Sequence, residues 1–409
     1  MGESIFQQYM RKRNNIVKNR KILQNTHIPE QLPHRKEQID KIASVISIAL
    51  SGEKPSNIMV YGKTGTGKTA TLHYIGKELK KADPKEMNCS FIYVNCEVVD
   101  TPYGVLYNIG NQVTVDPGQK IPFTGWSFEK VYSVLVDMID NEDKVYVVVL
   151  DEIDRMVFKK GDDIFYYLTK INENLKKSKV SLVGISNDMK FLELLEPKAR
   201  SRLGGESLVF PPYSKLELED ILQERADIAF DPNSIDKSVI PYCAAIAARV
   251  DGDARIALDL LRTAADIAER NGDSVITDAH VKSAKNSIEF DVVSEAIKTL
   301  SSQSKVVLMS IMLISEKELK MTTGDVYTKY SEISDYCGLS RLTQRRVTDL
   351  ISELDMMGII NASVKSFGCA GRTKEIELSV PKEMCSLLKN DPLFKNLDRS
   401  VRTGQTKLI

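Results

Sequence analysis

Four apolar residues, IMVY at 58–61, run directly into GKTGTGKT at 62–69, which fits G-x-x-x-x-G-K-[ST]; a helical pattern with Leu72, Ile75 and Leu79 on one face follows. No other stretch limits the fold so strongly, because the loop requires a buried strand before it and a helix after it. Gly62, Gly65 and Gly67 let the backbone curl, so that successive N–H groups and the helix N-terminus point at one place suited to a polyanion. A nucleotide polyphosphate meets that description. Lys68 then reaches the β- and γ-phosphates, the Thr69 hydroxyl ligates Mg2+, and Thr66 and Ala70 complete the cradle.

Three further apolar runs, FIYV (91–94), VYVVVL (145–150) and VSLVGI (180–185), alternate with amphipathic segments. Strands without polar alternation predict a parallel sheet buried on both faces, hence an α/β core. Six apolar residues end in Asp151 and Glu152, where a loop of this kind needs its second metal anchor. Asp151 is the expected Mg2+ partner, and Glu152 is placed to polarise an attacking water, which points to hydrolysis rather than transfer to another substrate. Asn187, after the fourth run, offers an amide to orient the same water. Arg202 in ARSRLGG and Arg255 in DGDARIALDLL are the arginines in suggestive places; Arg255 opens a helix, where a cation meets an unfavourable dipole unless an anion is near.

After FPPYS (210–214) the pattern is helical to about residue 290, and then changes again. Helices around 304–315, 324–338 and 342–358, followed by IINASVKSF and KEIELSV, describe a winged helix-turn-helix. In its third helix Val347, Leu350, Ile351, Leu354 and Met357 form the packed face, which turns Gln344, Arg345, Thr348 and Ser352 outward. Arginine and glutamine are side-chain types that read base edges, and Lys365, Arg372 and Lys374 place cations on the wing. The expected division is a basic arm at 1–25, an ATPase core at 26–214, a helical lid at 215–290 and a winged-helix domain at 291–409. Lys plus Arg and Asp plus Glu are each 56, so net charge points to no partner; the arm, with Arg11, Lys12, Arg13, Lys18, Arg20 and Lys21, is locally basic. Its alternatives are a solvated tail and a nucleic-acid contact. Six scattered cysteines indicate neither a zinc site nor a disulfide framework. With no apolar run of spanning length, the expectation is a reducing cytoplasmic setting, near the nucleoid, without a membrane partner.

Taken in order, LPHRKEQI (32–39), GKTGTGKT, VVVLDEID, GISN, SRLGG, FPPYS, GDARIALDLL and a winged helix resemble the archaeal origin-recognition and cell-division-control replication initiators over about residues 26–380. The resemblance implies an AAA+ core with helical lid and a DNA-binding winged helix, ATP or ADP with Mg2+, and slow hydrolysis used as a switch. The partners it implies are duplex DNA at replication origins, the replicative helicase and paralogous initiator subunits. By position it gives Asn187 and Arg255 the two sensor roles, brings Tyr213 and Arg225 to the nucleotide, and makes Arg202, in preference to Arg200, the finger acting on a neighbouring subunit. The interval 98–131 is where the family carries an additional initiator-specific helix, so Lys120, Thr124 and Trp126 become candidate DNA contacts. The competing reading is a signalling NTPase whose winged helix serves protein interaction or autoinhibition.

Overall fold

A computed structural model describes residues 15–99, 101–114, 116, 118, 120–203, 205–315, 321–366, 372–380, 388–389 and 391–394. The chain divides into two units, Met1–Ala284 and Lys285–Ile409.

The first unit is built on five parallel strands: β1 (Ile58–Tyr61), β2 (Cys89–Asn95), β3 (Val145–Asp151), β4 (Lys179–Ser186) and β5 (Glu206–Val209), in spatial order β2-β3-β4-β1-β5. All seven residues of β3 are buried, as its run of branched apolar side chains requires of a central strand. β5 is an addition to the sequence reading. Its residues ESLV are largely exposed and carry no apolar pattern, so only pairing with β1 marks them as a strand. Register brings the strand ends level: Tyr61 lies opposite Ser186 and Val209, and Asn95 opposite Asp151. The loops after β1, β3 and β4 therefore open on the same edge, the carboxyl edge where parallel sheets hold ligands.

Helices cover both faces. On one side α1 (Lys36–Ile46) and α2 (Lys68–Ala82) pack through Ile42, Ile46, Leu72 and Ile75 onto Val60, Val147 and Val183. On the other lie α3 (Pro102–Val113), α4 (Phe128–Ile139), α5 (Ile153–Lys160), α6 (Asp163–Asn174) and α7 (Pro197–Leu203), with Val105, Leu135, Phe165 and Phe191 in the core. The lid follows as α8 (Lys215–Ala229), α9 (Val239–Arg249) and α10 (Ala254–Asn271), and α11 (Asp278–Thr299) carries the chain across the unit boundary. Ser214 and Glu217 close α8 with a reciprocal capping box, and the Asp253 carboxylate accepts the Arg255 N–H to start α10.

The basic arm is where the structure departs from a solvated tail. Arg11, Lys12 and Arg13 lie outside the described residues, but from residue 15 the chain packs on the lid: Ile16, Ile22 and Leu23 are buried, and Val17 bridges to Phe230. Lys18 pairs with Asp231, and Arg20 pairs with Asp266 and Glu269. Those two cations are thus answered by the chain's own carboxylates.

The second unit has its own core. Helices α12 (Ser302–Ser315), α13 (Thr323–Tyr336) and α14 (Gln344–Met356) pack with a small antiparallel sheet of β6 (Met321–Thr322), β7 (Ile360–Ser366) and β8 (Arg372–Leu378), ordered β6-β8-β7. Val307, Ile311, Tyr330, Val347, Ile351 and Ile376 meet at its centre. Met357, expected on the packed face of the third helix, is 53% exposed. The helix ends one residue earlier and Gly358 turns the chain with φ 70°, so the helical spacing no longer applies at Met357.

Candidate functional site

The loop after β1 and the residues flanking it line a cavity of about 380 Å³, bounded by Thr64–Ala70, Asp151, Glu152, Asn187, Tyr213, Arg255 and the segment Gln24–Pro33. Two glycines of the loop have left-handed backbone, Gly65 at φ 67° and Gly67 at φ 87°. Space as well as torsion demands them. A Cβ on Gly65 would lie 1.6 Å from the Asp253 carboxylate at the start of α10, and one on Gly67 would lie 2.6 Å from the Tyr213 hydroxyl. Ala254 N–H also donates to the Gly65 carbonyl (3.2 Å), so the lid helix begins against the loop.

Lys68 is 5% exposed, and its ammonium donates to the carbonyls of Gly62 (2.6 Å) and Lys63 (2.7 Å) and to Asn187 Oδ1 (2.9 Å). Burial lowers its pKa to about 8, against the pull of Asp151. Thr69 Oγ1 donates to Asp151 Oδ2 at 2.7 Å, and Tyr93 donates to the same oxygen at 2.5 Å. A hydroxyl and a carboxylate side by side form a hard oxygen donor set, which fits Mg2+. The Tyr93 pKa is raised, first by burial and then by Asp151, which keeps the phenol protonated as a donor.

Glu152 sits in the left-handed region (φ 54°, ψ 43°), a conformation that costs a residue with a side chain on the order of 1 kcal/mol and is typically held by surrounding structure at functional sites. Its Oε2 is buried, 3.1 Å from Arg155 Nε but in no hydrogen bond among the described residues. Burial raises the Glu152 pKa, Glu97 and Asp151 add to the rise, and Arg155 opposes it. A carboxylate moved up in this way is a better proton acceptor near neutrality.

Several expected residues reach the cavity indirectly. Arg225 lines it, but its guanidinium donates to the carbonyls of Ile22 (3.2 Å) and His27 (3.4 Å), holding a wall. Tyr213 is buried beneath Arg35, whose guanidinium carbon stands 3.7 Å from the ring centroid. Arg35 is 1% exposed and donates to Thr66 O (2.9 Å), His34 O (3.0 Å) and Pro211 O (2.7 Å), so one side chain ties the glycine-rich loop to segments before and after it. Neither Arg35 nor Tyr93 is singled out by the sequence reading. Tyr93 lies inside an apolar run, where an aromatic reads as core, and one arginine ahead of a helix has no periodic signal. Arg200 is exposed on α7; the Arg202 side chain lies outside what the structure describes.

In the interval 98–131, Lys120 and Thr124 are exposed, whereas Trp126 is half-buried against the core with the Lys130 ammonium 4.2 Å from its ring. That contact occupies one indole face by a cation–π attraction of about 0.5–1 kcal/mol. In the second unit Gln344 and Arg345 are exposed at the start of α14, Thr348 is half-buried, and Lys374 on β8 donates to Ser352 Oγ at 2.6 Å. The side chains of Lys365 and Arg372 are outside the described set.

Comparison with known proteins agrees along the whole chain. Residues 52–190 match the AAA domain family, 219–286 the Cdc6 AAA+ ATPase-type lid domain, and 295–386 the CDC6 C-terminal winged helix domain. The ORC1-type DNA replication protein of Thermococcus onnurineus is 50% identical over 100% of this chain and 99% of the relative; that of Pyrococcus furiosus is 51% identical over 100% and 98%. The Aeropyrum pernix ORC1 protein, solved in complex with DNA, superposes with a TM-score of 0.78 at 43% identity, covering 94% of this chain and 99% of that one. Cdc6p from Pyrobaculum aerophilum, at 22% identity, covers 93% of this chain and 99% of its own, and shares the fold with a TM-score of 0.60.

Proposed function

The chain belongs to the ORC1-type DNA replication protein family, and from that premise we propose that it is an ATP-controlled initiator: it binds origin duplex DNA and helps recruit or load the replicative helicase. Slow ATP hydrolysis serves as the switch. The observation that carries the nucleotide half is the meeting of Lys68, Thr69, Asp151, Glu152, Asn187 and Arg255 at one cavity. The DNA half rests on the relative solved with DNA and on the exposed Gln344 and Arg345 at the start of α14.

The roles follow from position. The loop N–H groups and Lys68 hold the phosphates, Lys68 exchanging its loop carbonyls for phosphate oxygens. Thr69 and Asp151 hold Mg2+, which when bound neutralises charge on the β- and γ-phosphates. Glu152 accepts the proton of the attacking water, Asn187 orients that water, and Arg255 brings a lid cation to the γ-phosphate. Arg202 of one subunit serves the site of a neighbour, an identical or paralogous copy, so the isolated chain turns over slowly. Lys120, Trp126, Thr348, Lys365, Arg372 and Lys374 add contacts to DNA, and the protein acts at the nucleoid. The whole-length match to replication proteins leaves the signalling-NTPase reading without support.

The deciding experiment measures binding to origin-derived and random duplexes with ATP, with ADP and without nucleotide. A preference for origin DNA that depends on the nucleotide is the expected result. Indifference to DNA in every state overturns the reading.

A further inference from the structure

The phosphate loop accounts for one end of the cavity, and much of the remaining lining comes from Gln24–Pro29 and Gln31–Pro33 together with Ile221, Glu224, Arg225 and Leu258. On the reading of the cavity as an ATP site, this remainder faces the base and sugar. It is an unusual wall, because it belongs neither to the sheet nor to a long helix. It is a strap, running from Ile16 to Pro33, and it keeps its place through what grips it.

The grip comes chiefly from the lid. Glu269 on α10 is fully buried, and its Oε1 accepts the backbone N–H groups of Ile16 (3.0 Å) and Val17 (3.1 Å). Its Oε2 is bonded by Arg20, which also pairs with Asp266 one helical turn earlier. Lys18 and Asn19 N–H groups donate to Ala229 O at the end of α8, and Arg225 then holds the Ile22 and His27 carbonyls. A carboxylate taken wholly out of water needs compensating donors, and here the strap supplies them. Without Glu269 the strap loses the buried carboxylate that accepts its Ile16 and Val17 N–H groups and pairs with Arg20. We propose that Glu269, acting with Arg20, is a positioning residue for the base-holding end of the nucleotide site. One cation of the basic arm, Arg20, thus serves nucleotide recognition through the lid.

The phosphate end is held by a different set of contacts: Arg35 bonds to Thr66, His34 and Pro211, and Lys68 to Gly62, Lys63 and Asn187. Base and phosphate recognition therefore separate in a measurement. Affinities of the full chain for ATP and for inorganic tripolyphosphate, which has phosphates and no base, are compared by calorimetry in the parent, Glu269→Gln and Arg20→Met. Arg20 is half-exposed, so Arg20→Met keeps the test open if the buried substitution prevents folding. When the strap is held in place for only part of the time, apparent affinity falls by that fraction, so the expected result is an ATP affinity about tenfold lower with tripolyphosphate binding changed less than about twofold. Equal loss for both ligands would mean general loosening and overturns the proposal, as does unchanged ATP affinity in both variants. A parent protein that binds no ATP would instead overturn the reading of the cavity on which the proposal rests, and that is seen before any variant is compared.

Discussion

The Lys68 ammonium donates to the Asn187 amide oxygen across 2.9 Å, joining the end of β4 to the glycine-rich loop. A phosphate entering the loop meets a cation already oriented by the amide and by the carbonyls of Gly62 and Lys63. Lys68→Ala removes a charge-assisted contact of about 1.5–3 kcal/mol, so ATP affinity should fall by about 10–150-fold by calorimetry. Asn187→Ala keeps the cation and should lower turnover more than affinity. Equal losses of affinity in the two variants would show that the amide's chief task is to hold Lys68.

Glu152→Gln keeps the shape of the side chain and removes its capacity to accept a proton. Nucleotide affinity should stay within about twofold while single-turnover hydrolysis slows by on the order of 100-fold or more. Turnover equal to that of the parent would reassign Glu152 to the Glu97–Arg155 ion pair beside it.

A finger role for Arg202, as proposed, requires two chains. Arg202→Ala alone and Glu152→Gln alone should each be nearly inactive. A mixture should recover turnover at interfaces where an intact finger meets an intact site, and ATPase activity against mixing ratio reads this directly. Full activity in Arg202→Ala, with loss in Arg200→Ala, would move the role to the exposed neighbour on α7.

Most of the α/β core was legible because strands buried on both faces leave continuous apolar runs, as β1, β3 and β4 do, and the edge strand β2 carries FIYV although it is only partly buried. β5 left none, since Glu206, Ser207 and Val209 face solvent and its place depends on a partner distant in sequence. That Lys68, Thr69, Asp151 and Glu152 would meet was legible where residue type and position at a strand end together mark a site, and they do line one cavity. Contacts made across the chain were not. Arg35 reaching Thr66 and Pro211, and Arg20 reaching Glu269, depend on the packing of segments far apart, and a sequence read locally shows only that the arm is basic.

Asp140, at the end of α4, accepts the N–H groups of Lys176 (2.9 Å), Lys177 (2.7 Å) and Ser178 (3.1 Å) on one oxygen, fixing the turn that enters β4. The Lys177 N–H leads in holding its carboxyl below the usual value, against a smaller effect of burial. A lowered folded-state pKa means the contribution to stability is present above the unfolded value of 3.8 and lost as pH falls through the folded value. Asp140→Asn should therefore lower the urea midpoint at pH 7, and the difference from the parent should shrink steadily below pH about 4. A difference independent of pH would show that the carboxylate charge contributes nothing.

Arg345 and Arg346 are adjacent and both exposed at the start of α14, but Arg346 lies 3.8 Å from Asp349 and 3.7 Å from Glu353 on its own helix. If α14 enters the major groove, Arg345 is the one able to bind a base edge. Arg345→Ala in the whole chain should then cost about 1–3 kcal/mol on the preferred duplex and much less on a random one. Lys374 is held to Ser352 through one donor and retains others for a phosphate. Its replacement by Ala should weaken binding to both duplexes alike and reduce the log-log salt slope by about 0.9. Binding isotherms on both duplexes over a range of salt separate the two roles. An Arg345→Ala loss of equal size on both, with a shallower slope, would make Arg345 a backbone contact and leave base reading to Gln344 and its neighbours.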